Sequence, residues 1–305
     1  QPTRERIRRI ATELGYQPDP ELSRLMNHLR ISRTAQGRTS VAVIDFFPTA
    51  EYPQNAYNRS VRQGALKRAT ELGLSLTTFH GADYHQNLRN LLKVVRARGI
   101  EGALLMPSVV PLNLDLAADW NGISVVATSK SILAPRFHCV VPDHFGNMMR
   151  LIQAMHDRGW HRICAVFDEY FNERTGQAFA AAVRWHGHAP LTLIVPQDLP
   201  AAARISLVTE WMARHRPDAV FAQSDAVTQA LPMLKKIRPR LDLRFVGLGG
   251  HNLPGHSYLD ERADLVGSAA IDLLGGMMYY HETGIPAHSR TTSIDGHFVE
   301  RDLAG

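Results

Sequence analysis

Long apolar runs are missing from this 305-residue chain, and so are paired cysteines and nucleotide-binding glycine signatures. No stretch approaches the roughly 18–20 consecutive apolar residues of a membrane span, so no membrane partner is expected. Only Cys139 and Cys164 occur. Both sit in apolar β-like runs without CxxC spacing, which points to buried reduced thiols and a cytoplasmic protein. No secretory leader pattern opens the chain. The glycine cluster GLGGHNLPG, residues 247–255, lacks both GxGxxG spacing and a P-loop lysine, so it reads as a strand-end loop. The 15 histidines are scattered; His156/His161 and His251/His256 are five apart, which does not align two ligands on one helical face. With no HExxH pattern, neither a metal nor another cofactor is expected. No GxSxG elbow or isolated acid pair marks an enzyme.

What charge there is lies at one end. Residues 1–38 hold eight arginines against four acids, which is +4 of the formal +5. The other 267 residues are almost neutral. Ile7, Ile10, Ala11 and Leu14 recur at helical spacing, Gly15 stops that helix, and Pro18 and Pro20 precede a second short helix at 20–29. Cations concentrated on a short helical arm suit phosphate contacts.

Beyond residue 38, short apolar runs alternate with amphipathic segments, the pattern of a parallel α/β architecture. Strands are expected at 41–47, 74–79, 102–106, 125–128, 162–167, 191–195, 219–222 and 245–248. Helices are expected at 56–72, 87–98, 146–158, 175–186, 202–215, 226–237 and 266–281. The βα unit recurs in two blocks that divide near 139–143, as two doubly wound lobes would, with ligands at the carboxyl ends of their strands.

The segment TRERIRRIATELGYQPDP resembles the third headpiece helix and linker of the LacI/GalR repressors, T-R-E-R-V-x-x-A-x-x-L-G-Y-x-P-N, with Asp19 in place of Asn. ELSRLMNHLRISRT resembles that family's hinge helix with about one extra turn. FHCVVPDHFGNMMRLIQAMHDRGWHRICAVF, PDAVFAQSD and GIPAHSRTTSIDGHFVERD are similar to later family segments. The resemblance implies two periplasmic-binding-protein-like lobes of type I, preceded by a partial helix-turn-helix headpiece and hinge helix at 1–34. The first headpiece helices would lie upstream of Gln1. Lobe one is expected at 39–140 plus 267–290, and lobe two at 141–266 plus 291–305.

The resemblance further implies a DNA-binding regulator, a repressor by type, that acts as a homodimer on operator DNA and senses a small metabolite such as a sugar. Tyr16, Arg24, Leu25 and Leu29 are its candidate DNA contacts. Either leucine could be the wedge that kinks the minor groove; Leu25 fits the spacing from Tyr16, and Leu29 the spacing to Arg33. Candidate effector contacts are Phe47, Tyr57, Asn58, Ser129, Asp143, Arg174, Ser224, Asp225, His251 and Asp260. In the family the loop near 248–250 carries an effector-binding Asp. Here Leu248, Gly249 and Gly250 occupy it, which leaves His251 or Asn252 for polar contacts. A periplasmic solute-binding protein of the same fold is the alternative, since fold alone does not separate the two.

Overall fold

The computed structural model describes residues 39–46, 56–84, 87–186, 191–238, 243–249 and 256–301, with Arg6, Ile10 and Glu13 singly. The three isolated residues are helical, as the arm's periodicity implies, yet Ile10 is 43% exposed although it belongs to the expected apolar face. The remaining headpiece and hinge expectations, Tyr16, Arg24, Leu25 and Leu29 among them, lie outside the described residues.

Two six-stranded sheets carry the molecule. The first has the order β13-β7-β5-β3-β1-β2, formed by Thr291–Ile294, His138–Pro142, Ser124–Ala127, Gly102–Leu105, Ser40–Asp45 and Ser75–His80. All its pairings are parallel. The second has the order β14-β12-β11-β10-β8-β9, formed by His297–Val299, Ser257–Asp260, Arg244–Gly247, Ala219–Gln223, Ile163–Asp168 and Leu191–Val195. Only its β14 runs antiparallel. A small ribbon pairs β4 (Leu112–Asn113) with β6 (Ile132–Ala134). The fold is therefore α/β with two parallel-sheet lobes.

The central strands are buried on both faces, which is why VAVID and ICAVF read as continuous apolar runs rather than alternating ones. Helices α1 (Ala56–Glu71) and α2 (Leu88–Ala97) cover the first sheet, while α3 (His144–Asp157), α4 (Glu169–Arg174), α5 (Ala178–Trp185), α6 (Ala201–His215) and α7 (Asp225–Ile237) belong to the second. Helix α1 turns Val61, Ala65 and Ala69, spaced at i and i+4, into the core.

The last helix, α8 (Ala263–Tyr279), returns to the first lobe and packs along α1 with Val266, Ala270, Ile271, Leu274 and Met277. Two glycines permit the close approach. A Cβ at Gly64 would stand 1.9 Å from the Asp264 carbonyl oxygen, and one at Gly267 would stand 1.9 Å from that of Val61. No described helix is long and apolar enough to cross a membrane.

The chain passes between sheets at Asp143, after Asp260 and after Ile294. Two boundaries thus differ from those expected. Helix α8 begins at Ala263 rather than 266, and Thr291–Ile294 pair with β7 in the first sheet instead of lying in the second lobe. The cause is that β13 is a short, mostly exposed edge strand with no apolar alternation to announce it.

Candidate functional site

Carboxyl ends of the strands from both sheets face one cleft. The first lobe contributes Tyr57 and Asn58 from the first turn of α1, Pro107 and Ser108 beyond β3, and Ser129 beyond β5. From the second side come His144 at the start of α3, Phe171 and Arg174 on α4, Gly249 beyond β11 and Glu261 beyond β12. This is the geometry of a doubly wound site, in which open strand ends leave a crevice for ligand.

Each polar group is held by a neighbour. Asn58 Nδ2 donates to the Pro107 carbonyl at 3.1 Å, which fixes the α1 turn to the β3 loop. The Ser108 N–H donates to Ser131 Oγ at 2.9 Å, and Ser129 and Ser131 hydroxyls are 2.6 Å apart. His144 Nδ1 lies 3.0 Å from Glu261 Oε1, and both side chains are nearly enclosed. Arg174 Nη1 crosses between lobes to donate to the Ser108 carbonyl at 3.3 Å.

Phe171 forms an apolar wall. Its ring stacks on Phe179 at 5.5 Å, and the Arg174 guanidinium stands 5.3 Å from its centroid. Gly249 makes room for that ring: with φ +62, a Cβ there would stand 2.6 Å from Phe171 Cε2. At Gly249, therefore, the chain presents bare backbone to the cleft with an aromatic ring against it.

Electrostatics follow from enclosure. Burial, then the Glu261 carboxylate, push the Tyr57 phenol well above its ordinary value, with Arg174 opposing. Burial lowers the Arg174 pKa, while Glu261, Tyr57 and Asp168 pull it back up. A guanidinium has five donors, and this one spends one of them on Ser108, so it retains donors for a ligand. The cavity between these groups measures about 50 Å³. Small-molecule sites usually offer about 300–1,000 Å³, so the lobes stand nearly shut on one another here.

Of the expected contacts, Tyr57, Asn58, Ser129 and Arg174 line the cleft. Asp143 does not: its carboxylate caps α3 by accepting from the Gly146 N–H at 3.1 Å, and the next residue, His144, faces the ligand space. Asp260 is likewise displaced by one. It accepts from the Arg262 N–H at 2.8 Å at the lobe crossing, and Glu261 enters the cleft instead. Ser224 caps α7 by accepting from the Ala226 N–H at 3.3 Å, and Asp225 is the exposed first residue of that helix; neither lines the cleft. Phe47 and His251 lie outside the described residues. Ser108 and Phe171 had no motif to announce them, while Gly249 lies in the glycine-rich strand-end loop that the sequence marked.

A sequence-family match covers residues 50–242 and is described as periplasmic binding proteins and sugar binding domain of LacI family. The chain belongs to this family. Among solved structures, this LacI-type domain is similar to a transcriptional regulator CelR–cellobiose complex at 17% identity and TM-score 0.62, over 99% of this chain and 90% of that one. A putative LacI-family regulator from Rhizobium etli matches at 16% identity and TM-score 0.66, over 88% and 99%. The trehalose repressor from Escherichia coli matches at 16% identity and TM-score 0.58, over 86% and 100%. At these identities the likeness is one of fold. No curated protein sequence matches the chain.

Proposed function

We propose that this LacI-type chain is an effector-responsive transcriptional regulator whose interlobe cleft takes a neutral, polyhydroxylated small molecule of the sugar class. The observation that carries the reading is the composition of the cleft. Arg174 and Glu261 balance in charge, Asn58, Ser108, Ser129 and His144 offer hydrogen-bonding atoms, and Tyr57 and Phe171 supply aromatic surface. A sugar presents alternating hydroxyls and an apolar ring face, which such a lining complements. Two of the similar structures, the CelR–cellobiose complex and the trehalose repressor, carry names of sugars of this chemical class.

Binding rather than catalysis fits the His144–Glu261 pair: among the described residues no hydroxyl or thiol nucleophile is bonded to that imidazole. The arginine-rich segment 1–34 supports operator DNA as the second partner and favours a regulator over a solute carrier. A homodimer would place two such arms on a palindromic site. Ligand that bridges Arg174 and Ser108 would change lobe spacing and, through it, the arms.

The test is a calorimetric titration of sugars together with fluorescence anisotropy on DNA selected from random duplexes. Arg174→Ala should abolish sugar binding and leave DNA affinity without sugar unchanged. Leu25→Ala should do the reverse. Sugar binding that survives Arg174→Ala, or sugar binding lost in Leu25→Ala, would overturn the assignment.

A further inference from the structure

A second, larger cavity of about 300 Å³ lies beside the cleft and shares only Ser129 with it. Its floor is apolar and buried, built from Ala127, Ile132, Phe137 and Cys139. Its rim is charged. Lys130 and Arg136 stand on the excursion between β5 and β7, and Glu173 faces them from α4 of the other lobe. Lys130 and Arg136 are exposed, and neither has an ion-pair partner among the described residues.

Lys130 also spans the gap between lobes. A Cβ placed on Gly176 would stand 3.5 Å from its Cδ and 3.9 Å from its Nζ. On the opposite edge Thr291 offers its hydroxyl, 3.4 Å from Cys139 Sγ. Two cations at one mouth against the single carboxylate of Glu173 leave a net positive potential on the cavity below, and charge-assisted hydrogen bonds there are the strong ones. The volume is at the lower end of the roughly 300–1,000 Å³ of small-molecule sites.

We propose that this cavity is a second ligand site, for a small polyanion bearing carboxylate or phosphate groups, held by Lys130 and Arg136 at the seam of the two lobes. Its walls come from both lobes, so an occupant is coupled to their spacing, as any ligand with different contacts in two arrangements must be. Glu173 sets the limit on charge, since it repels an anion that extends fully across the gap. The inference does not rest on the reading of the neighbouring cleft.

The experiment is calorimetry on the whole chain with citrate and with inorganic pyrophosphate in separate arms at fixed ionic strength. At least one should bind saturably, one per chain, and weaken as salt rises. In K130A/R136A the affinity should fall at least about ten-fold, because two charge-assisted contacts are lost. In Arg214→Ala, which removes an exposed cation that does not line this cavity, it should stay within about two-fold of the parent. Binding of citrate alone assigns the site to carboxylates, and of pyrophosphate alone to phosphates. The proposal is overturned if neither anion saturates, if K130A/R136A binds like the parent, or if Arg214→Ala loses the anion. Both cations are exposed, so K130A/R136A should fold; K130Q/R136Q, which keeps the side-chain length more closely, provides the same readout should it not.

Discussion

Gly64→Ala should loosen the joint that sets the cleft's two walls. Gly64 lies two turns along the helix that opens with Tyr57 and Asn58, and Asp264 follows Glu261 by three residues. The added Cβ would stand 1.9 Å from the Asp264 carbonyl oxygen and 2.6 Å from its carbon. Comfortable non-bonded separations are about 3.5–4 Å, so α1 and the start of α8 must part by roughly an ångström or more. Overpacking costs about 1–3 kcal/mol, and a backbone neighbour in a second helix places this case at the upper end. About 1 kcal/mol returns as helix propensity. The net loss is then about 2 kcal/mol, or roughly 3 °C in Tm at this chain size. Gly276→Ala in α8 is the control: nothing lies within 4 Å of its Cβ position, so it should gain about 0.5–1 kcal/mol. Thermal and urea unfolding of the two variants decide the matter. Sugar binding should also weaken in Gly64→Ala, as Tyr57 and Glu261 separate, and hold in Gly276→Ala. If Gly64→Ala is neutral or stabilising, the close approach of α1 and α8 is wrong.

Three further outcomes are expected. Arg62 Nη2 lies 2.9 Å from Asp45 Oδ2, whose side chain is fully buried; Arg62→Ala should therefore cost about 3 kcal/mol in urea unfolding, and a loss under about 0.5 kcal/mol would contradict the pairing. Because the Tyr57 phenol is raised, the stability it confers is present below the ordinary phenol value near 10 and lost as pH rises toward the raised one. Tyr57→Phe should flatten the alkaline side of the stability profile, and an unchanged slope would refute the shift. Asp218, Glu282 and Glu300 are held below their usual range. For Asp218 and Glu300 the leading cause is the arginine bond; for Glu282 burial is the largest influence and opposes, and its hydrogen bond to His138 together with the Arg290 charge outweighs it. Their contribution is complete above the ordinary carboxylate values and disappears as pH falls through the lowered ones, so Glu282→Gln should reduce the acid-side slope between about pH 5 and 3, and an unaltered slope would count against it.

Legibility in the sequence followed burial. The run VAVID is buried on both faces and could hardly be anything but a central strand, and the spacing of Val61, Ala65 and Ala69 declared α1. Two edge strands were silent: β13 is short and exposed and β14 has only three residues, so no alternation marked them, whereas the opposite edges β2 and β9 were legible. The helix expected at 175–186 begins at Ala178, and an unexpected short helix, α4, precedes it, with Gly176 and Gln177 between the two at φ 65 and 60. The break ends α4 at Arg174 and frees that side chain for the cleft. Tyr57, Asn58, Ser129 and Arg174 line the cleft because strand ends open onto the crevice in this architecture. Asp143 and Asp260 do not line the cleft, whereas the residues that follow them do. Their carboxylates bond local backbone N–H groups at a helix start and a lobe crossing, which turns His144 and Glu261 into the ligand space. Periodicity cannot resolve a one-residue choice between adjacent polar groups.

The central claim is that one sugar-class ligand is gripped between lobes by Arg174. A thermal-shift panel of neutral mono- and disaccharides, including cellobiose and trehalose, run in parallel on the parent chain and on Arg174→Ala tests it most directly. The account predicts at least one sugar that raises the Tm of the parent in a concentration-dependent way and leaves that of Arg174→Ala unmoved. A panel without any stabilising sugar, or a stabilising sugar that acts equally on Arg174→Ala, would contradict it.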